Sequence, residues 1–465
     1  MGIKDYHKWF KKNYPTCFKN KWFNFYDHVY IDINYLLHYV HYGVINQSQI
    51  IYKFFSLIER LILEFNPTKS IVFAADGQAP IAKLLLQRER RILMARDTSE
   101  LSISPLIYTP GTEFMETIEE KIKIFAKKFE LVYNIKIDYM IDKEGEAEMK
   151  LKYKMMENIE NNKSDTHILI SSDADIIAMF GSYEYSNYYN IFICSEIKDI
   201  CVISFGELMK CHCEKYGFSD NFNLDFTLLS IILGNDYLPK ISFCDLDKLW
   251  DTYKIWVGKY KGGLIDNNME LNVDFFVEIL NGIINRTKLH LLKKFNFETF
   301  NDNSNLYKNY MEGLLWCLNM YKNGKCIRYN YMYQYDEAPH PFGLILNIKK
   351  NKDISKFDGN ILYPSLNKNL YATLVLPKKA VKLIKEEKYH VFSDKHPILY
   401  EEELCEECMR LHKEKQKYKK NTENENNEIC REIIQNIKLH KLSHKNIAIG
   451  DIEEISAEFS ETFFN

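Results

Sequence analysis

An α/β fold, with a largely parallel central sheet flanked by helices, is what this sequence predicts, on three observations. Short apolar runs that read as strands alternate over the first 240 residues with patterns of helical period, the arrangement that yields a parallel sheet. Three of those runs hand over to an aspartate: Val29-Tyr-Ile-Asp32, Ile71-Val-Phe-Ala-Ala-Asp76 and His167-Ile-Leu-Ile-Ser-Ser-Asp173. Open sheets of this class build their sites at the carboxyl ends of strands, where those acids fall. Residues 1–240 are therefore expected to form the core that carries the site. Residues 241–400 mix helical patterns with aromatic-rich strand candidates, an appended α+β region, and residues 401–465 read as a charged, partly flexible C-terminal segment.

Residues 4–26 are rich in lysine and aromatics, with Pro15 as a breaker. The strand ending at Asp32 is followed by a helical pattern that opens with Asn34 and His38, and Ile50 to Phe65 reads as a second helix. After the strand Ile71–Ala75, Gly77 and Pro80 make a turn that launches a third. On it Lys83, Gln87, Arg90 and Arg91 stand at i, i+4, i+7 and i+8, one face about 80–100° wide, with Leu85 and Ile92 on the other side. Thr109-Pro-Gly-Thr-Glu113 is a turn, and Thr112 is placed to cap a helix running to about Glu130. A strand near Ile135-Lys-Ile-Asp138 precedes Gly145-Glu-Ala-Glu148, which opens another helix. Beyond His167–Ser172, two strand candidates, Tyr189–Cys194 and Ile200–Phe205, lead to an apolar helix that stops at Gly234-Asn-Asp236.

With 465 residues, 46% of them hydrophobic, the chain can bury a sizeable core over two or three domains. A net charge of −3 supplies no overall positive field, so any phosphate binding is local. Eleven cysteines without a regular framework suit a reducing compartment better than a disulfide scaffold. The N-terminus lacks the apolar core of a signal peptide, and runs such as Leu228–Leu233 fall far short of the roughly 18 residues a membrane span needs. A cytoplasmic protein without membrane attachment is the expectation.

Seven acids stand where a strand or helix ends, beside small residues that let a ligand approach: Asp32, Asp76, Glu146, Glu148, Asp173, Asp175 and Asp236. Gathered without compensation they would resist joint ionisation, and a divalent cation removes that penalty. Oxygen ligands without an accompanying His or Cys point to Mg²⁺ or Mn²⁺, and two such ions ~3.5–4 Å apart suit in-line attack of water on a phosphodiester. An acid at a strand tip followed by the cationic stripe of Lys83, Arg90 and Arg91 is the pairing that phosphodiester cleavage requires, since a guanidinium fork matches phosphate oxygens.

These stretches resemble, in order, the XRN family of 5′→3′ exoribonucleases within the PIN-like and flap-nuclease group. The resemblance runs through Met1-Gly-Ile, Trp9-Phe10, Tyr14-Pro15, Asp32-Ile-Asn-Tyr-Leu-Leu-His38, Asp76 to Arg91, Thr109-Pro-Gly-Thr-Glu-Phe114, Gly145–Glu148, Asp173-Ala-Asp175 and Gly234-Asn-Asp236-Tyr-Leu-Pro239. It continues more loosely to about residue 385. It implies a PIN-like 5′-nuclease core, a two-Mg²⁺ site made by the seven acids with Mn²⁺ as a substitute, and a 5′-monophosphate pocket made by Lys83, Gln87, Arg90 and Arg91. It also implies a His38 that contacts the leading nucleotide. The substrate so implied is single-stranded RNA with a 5′-monophosphate, such as decapped messenger RNA, cut processively to mononucleotides by a monomer. Where the family carries a tryptophan-bearing segment that helps sandwich the first base, this chain has Arg328-Tyr-Asn-Tyr-Met-Tyr-Gln-Tyr335, so Tyr329 and Tyr331 become candidates for stacking. The long C-terminal domains of larger members have no counterpart in this sequence. Alternative readings are a structure-specific 5′ flap or DNA nuclease, which shares the acids, and an inactive RNA-binding scaffold of the same fold.

Cys405-Glu-Glu-Cys408 with His412, and with Cys430, His440 or His444 further on, offers zinc-type donors, but no second close pair follows and zinc is not expected. Cys211-His-Cys213 is weaker, because adjacent ligands seldom chelate one ion. The lysine-rich run Lys413–Lys420 reads as a solvated helix face.

Overall fold

The computed structural model describes residue 3 and residues 5–97, 103–184, 189–287, 304–335, 337–351, 362–400, 405–421 and 440. Cys430 and His444 lie outside the described residues, as do the side chains of His412 and of most of Lys413–Lys420. Two compact units form, each from discontinuous stretches: Met1–Leu36, Phe54–Lys83 and Ile122–Pro364 in the first, Leu37–Lys53, Leu84–Lys121 and Ser365–Asn465 in the second.

The first unit is built on a seven-stranded sheet. Its strands are β1 (Phe18–Lys19), β2 (Tyr26–Asp32), β3 (Pro67–Ala74), β4 (Lys136–Met140), β5 (His167–Ile170), β6 (Ile191–Glu196) and β7 (Cys201–Ser204), in the order β1-β7-β6-β5-β2-β3-β4. The five strands from β6 to β4 run parallel, and β7 and β1 are antiparallel additions at one edge. Parallel strands covered on both faces are apolar throughout, and β2 is buried at six of its seven positions. Asp32 pairs in register with Ala74, and Ala74 with Met140; Ile31 pairs with Ile170. The strand ends are therefore level, which brings the segments after them together at one rim of the sheet.

The helices of the chain's first half are α1 (Tyr6–Asn13), α2 (Ile33–Val40), α3 (Gln47–Phe65), α4 (Ile81–Asp97), α5 (Glu113–Tyr133) and α6 (Ala147–Asn161). They continue with α7 (Asp175–Gly181), α8 (Phe205–Tyr216), α9 (Phe222–Ile231), α10 (Leu246–Trp256) and α11 (Val273–Asn285). In the first unit α6 packs on β2 and β3, and α8 packs on β6 and β7. A helical layer of α9, α10, α11 and the helices Ser304–Asn323 and Pro341–Lys350 extends the same core through Trp250, Tyr253, Phe275, Leu314 and Trp316. Among the described residues none of the sheet's strands lies in 241–400: the expected strands there are helices and loops, with isolated bridges at Ile265–Leu271, Arg328–Tyr363 and Thr112–Ile384. The tyrosine-rich segment is no strand either: it turns at Tyr329 and Asn330, where the Tyr331 N–H reaches the Arg328 carbonyl at 3.3 Å. The carbonyls of Tyr329 and Tyr331 accept the N–H groups of Ile81 and Ala82, so its backbone partners are the first two residues of α4 rather than a neighbouring strand.

In the second unit the residues of α4 from Leu84 onward pack with the helix Lys368–Val375 and the turns after it. Arg88 donates to the Leu374 carbonyl and lies 5.0 Å from the Tyr400 ring centre, and Thr112 bridges to Ile384. The Thr112 hydroxyl donates to the carbonyls of Ile107 and Thr109, tying the turn before α5 instead of accepting a helix N–H as its position suggested. No helix among the described residues is long and apolar enough to cross a membrane.

Candidate active site

The seven predicted acids all lie in the first unit, around the level strand ends. Asp32 is the last residue of β2, and its two oxygens have separate duties. Oδ1 accepts the Tyr35 N–H at 3.1 Å, and Oδ2 accepts the Ser171 hydroxyl at 2.9 Å. The same hydroxyl lies 3.4 Å from Glu148 Oε1, so one serine at the end of β5 sits between acids from β2 and α6. Asp76 follows β3 by two residues. Its N–H donates to Asn34 Oδ1 at 2.9 Å and its Oδ1 accepts the N–H of Ala147, the first residue of α6, at 3.1 Å. Glu146 precedes that helix and Glu148 lies in its first turn, so three carboxylates gather at one positive helix end.

Two glycines let those loops approach. Gly77 N donates to the Gly145 carbonyl at 2.8 Å and Gly145 N to the Gln78 carbonyl at 2.9 Å, zipping the Asp76 loop to the Glu146 loop. A Cβ on Gly77 would stand 2.2 Å from the Lys143 carbonyl oxygen, and Gly145 has φ +87°, a left-handed conformation glycine tolerates without cost. On the other side, Asp173 Oδ1 accepts the Asp175 N–H at 2.9 Å. Asp175 in turn accepts the Ile3 N–H at 2.7 Å and the Tyr321 hydroxyl at 3.3 Å. Asp236 meets Lys83 at 3.2 Å, and Lys83 also pairs with Glu146.

The electrostatics show that these acids form one cluster. Burial, then the Asp76 charge, pushes the Asp32 carboxyl up to about 7; burial, then Asp173 and Asp236, pushes Asp175 up to about 8. Burial raises Glu148 well above the carboxylate range, with Asp32, Asp173, Asp76 and Glu146 adding to it. Glu146 is also raised by burial, against the opposing pull of Lys83. Burial alone would lower the Lys83 ammonium, but Glu146, Asp236, Asp173 and Asp76 reverse this and hold it well above its ordinary value. Asp32, Glu146 and Asp175 are buried, whereas Asp76, Glu148, Asp173 and Asp236 are half-buried and give the cluster an open side. Hard oxygen donors are the chemistry that divalent cations take, replacing protons as counter-charge, although these acids do not bring three ligand atoms within 4.8 Å of one another while Lys83 lies among them.

The remaining predicted residues are placed differently. Tyr331 is buried, with its hydroxyl donating to the Asn309 carbonyl at 3.0 Å and its ring 4.6 Å from that of Trp316. Tyr329 is buried as well, its hydroxyl facing Gly145. Gln87, Arg90, Arg91 and His38 belong to the second unit. There Arg91 Nε donates to Thr109 Oγ1 at 2.8 Å and its Nη1 to Gln87 Oε1 at 3.1 Å, while Gln87 Oε1 also accepts the Tyr371 hydroxyl. Arg90 is half-buried on the same helix, and His38 is exposed, 5.1 Å from the Tyr108 ring in an edge-on arrangement. Sequence reasoning missed Ser171, Asn34 and Tyr321, which hold the acids in position. Ser171 and Asn34 each sit within two residues of a predicted acid, a signal that was available; Tyr321 carries none.

Residues 1–192 match the family model described as XRN 5′-3′ exonuclease N-terminus. Among known proteins, 5′-3′ exoribonuclease 1 of Schizosaccharomyces pombe is 25% identical over 302 residues, covering 52% of this chain and 22% of that protein. The Saccharomyces cerevisiae protein of the same name is 23% identical over 333 residues, covering 58% and 21%, and the human one 23% over 351 residues, covering 60% and 20%. The chain thus spans about a fifth of the length of these relatives. Among solved structures, the catalytic core of Rad2 in complex with DNA substrate is similar at 14% identity, over 75% of this chain and 94% of that one, with a TM-score of 0.38. The first 192 residues, which carry Asp32, Asp76, Glu146, Glu148, Asp173 and Asp175, are thus similar to the XRN 5′-3′ exonuclease N-terminal family.

Proposed function

We propose that the chain is a 5′→3′ exoribonuclease acting on single-stranded RNA with a 5′-monophosphate, using two divalent cations, Mg²⁺ or Mn²⁺, at the seven-acid cluster. The observation that carries this reading is the cluster itself, seven carboxylates from three strand ends, two helix starts and the loop after α9, in which Asp32, Glu146, Glu148 and Asp175 are raised around one lysine. Asp32, Asp76, Glu146, Glu148, Asp173, Asp175 and Asp236 are the ligand set. When bound, the cations supply an activated water and neutralise charge on the phosphodiester. Ser171 keeps Asp32 and Glu148 aligned, and Asn34 fixes the loop of Asp76. Lys83 shields the acids from one another and attracts the phosphate chain to them.

The 5′-monophosphate is assigned to Arg90 and Arg91 with Gln87, all in the second unit. Arg91 is pre-oriented by Thr109 and Gln87, and a fixed guanidinium fork suits a terminal dianion better than a capped or unphosphorylated end. His38, exposed beside Tyr108, contacts the leading nucleotide, and of the two tyrosines Tyr329 is the one whose hydroxyl faces the Glu146 loop. End-labelled RNAs bearing 5′-phosphate, 5′-hydroxyl or cap, together with a 5′-flap DNA, test the assignment. Mononucleotides released first from the 5′-phosphate RNA are expected. Equal degradation of all three RNAs would reject the 5′-phosphate pocket, and preference for the flap DNA would favour the flap-nuclease reading. Asp173→Ala should abolish cleavage while RNA binding persists.

A further inference from the structure

The acids of the first unit are hard oxygen donors, but a second donor cluster of different chemistry occurs in the second unit. Cys405, Cys408 and His440 bring their Sγ and imidazole nitrogen atoms within 4.8 Å of one another, the one such group of His, Cys, Asp and Glu among the described residues. The local sequence explains the first two ligands. Cys405 immediately precedes the helix Glu406–Asn421, and the Met409 N–H bonds to the Cys405 carbonyl at 3.1 Å, so helical spacing already holds from Cys405 onward. Residues three apart share a helix face, and Cys408 and Leu411 lie on the buried side of this one. The third ligand comes from far along the chain: His440 Nε2 lies 3.2 Å from Cys405 Sγ, across 35 residues.

We infer that Cys405, Cys408 and His440 bind a zinc ion that fastens the start of the helix Glu406–Asn421 to the segment carrying His440. Tetrahedral zinc with Zn–S near 2.3 Å and Zn–N near 2.0–2.1 Å separates its ligand atoms by about 3.5–3.8 Å, so ligand atoms that all lie within 4.8 Å of one another reach those separations by shifts of about 1 Å. Two thiolates and an imidazole select Zn²⁺ over Mg²⁺, as the seven carboxylates select the reverse, so the two centres sort their metals by donor type. Binding releases the thiol protons to solvent, and a water or another donor completes the fourth position.

Elemental analysis of the full chain, purified without chelator, tests the inference. About one zinc per chain is expected, held through gel filtration and removed by a strong chelator. Cys405→Ser, Cys408→Ser and His440→Gln should each lower the content several-fold, while Cys211→Ser, outside the cluster, should leave it unchanged. Cobalt replacement of the wild-type zinc reads the ligands without relying on any variant to fold, and a thiolate-to-cobalt charge-transfer band is expected. Zinc-free protein that takes up no cobalt, zinc unaffected by all three cluster variants, or a protein isolated with a Cys405–Cys408 disulfide would overturn it.

Discussion

Replacing Lys83 by methionine should destabilise the protein in proportion to pH, and divalent cation should reverse the effect. Lys83 is buried, with Glu146 and Asp236 both on its ammonium, and Asp173 and Asp76 add to the field that keeps it charged. Methionine has similar length and no charge, so packing changes little. Without the ammonium, a buried carboxylate loses its counter-charge and takes up a proton instead, Glu146 first, since burial already raises it and Lys83 is what opposes that rise. Keeping one carboxyl of ordinary value near 4.3 protonated in the folded chain at pH 7 costs about 3.5 kcal/mol, and at pH 5 about 1 kcal/mol. The sign follows: a carboxyl raised in the folded state loses stability as pH rises above its unfolded value, so the deficit of Lys83→Met grows from pH 5 to pH 7. Breaking a buried ion pair is independently worth ~3–5 kcal/mol, which agrees. Urea unfolding of wild type and variant at both pH values, with EDTA or with millimolar Mg²⁺, reads the difference. Mg²⁺ should stabilise the variant more than the wild type. An equal deficit at the two pH values, or one that ignores Mg²⁺, would refute the argument that Lys83 neutralises a metal-binding cluster.

Gly77→Ala forces a Cβ to within 2.2 Å of the Lys143 carbonyl and should unzip the Asp76 and Glu146 loops. Nuclease activity is expected to fall by at least tenfold with a stability loss of ~1–3 kcal/mol, both measurable on one preparation. Arg91→Lys keeps the charge but loses the fork on Thr109 and Gln87, and should reduce the preference for 5′-phosphate over 5′-hydroxyl RNA about tenfold or more, as loss of a charged hydrogen bond of ~1.5–3 kcal/mol implies. His167 is buried, stacked on His28, and burial depresses it from 6.5 to about 3. The unfolded chain therefore binds the extra proton, and wild-type stability should fall as pH drops below 6.5 by up to ~1.4 kcal/mol per pH unit. His167→Asn should flatten that part of the stability profile in a denaturant titration series.

What the sequence made legible divides along the range of the interactions involved. That Asp32, Asp76 and Asp173 gather was readable because the end of an apolar run is a local property, and a parallel sheet turns local ends into a common rim. The helical spacing of Gln87 and Arg91 was readable for the same reason, and the two side chains do bond to each other. Their partner Tyr371 lies 284 residues beyond Gln87, where no periodicity points. The alternating tyrosines from Tyr329 read as a strand because they alternate, yet the chain turns at Tyr329 and Asn330, and the carbonyls of Tyr329 and Tyr331 find their partners at the start of α4. Lys83 is the instructive residue. Spacing places it on the face of Gln87, Arg90 and Arg91, but its position one turn into α4 lets its long stem reach Glu146 and Asp236, whose combined field outweighs the desolvation of the ammonium. Cationic periodicity along a helix therefore predicts where a stripe begins but not what its first member neutralises. In this chain the first member lies among the acids, so a variant there should report on the acid cluster before it reports on the proposed 5′-phosphate contacts.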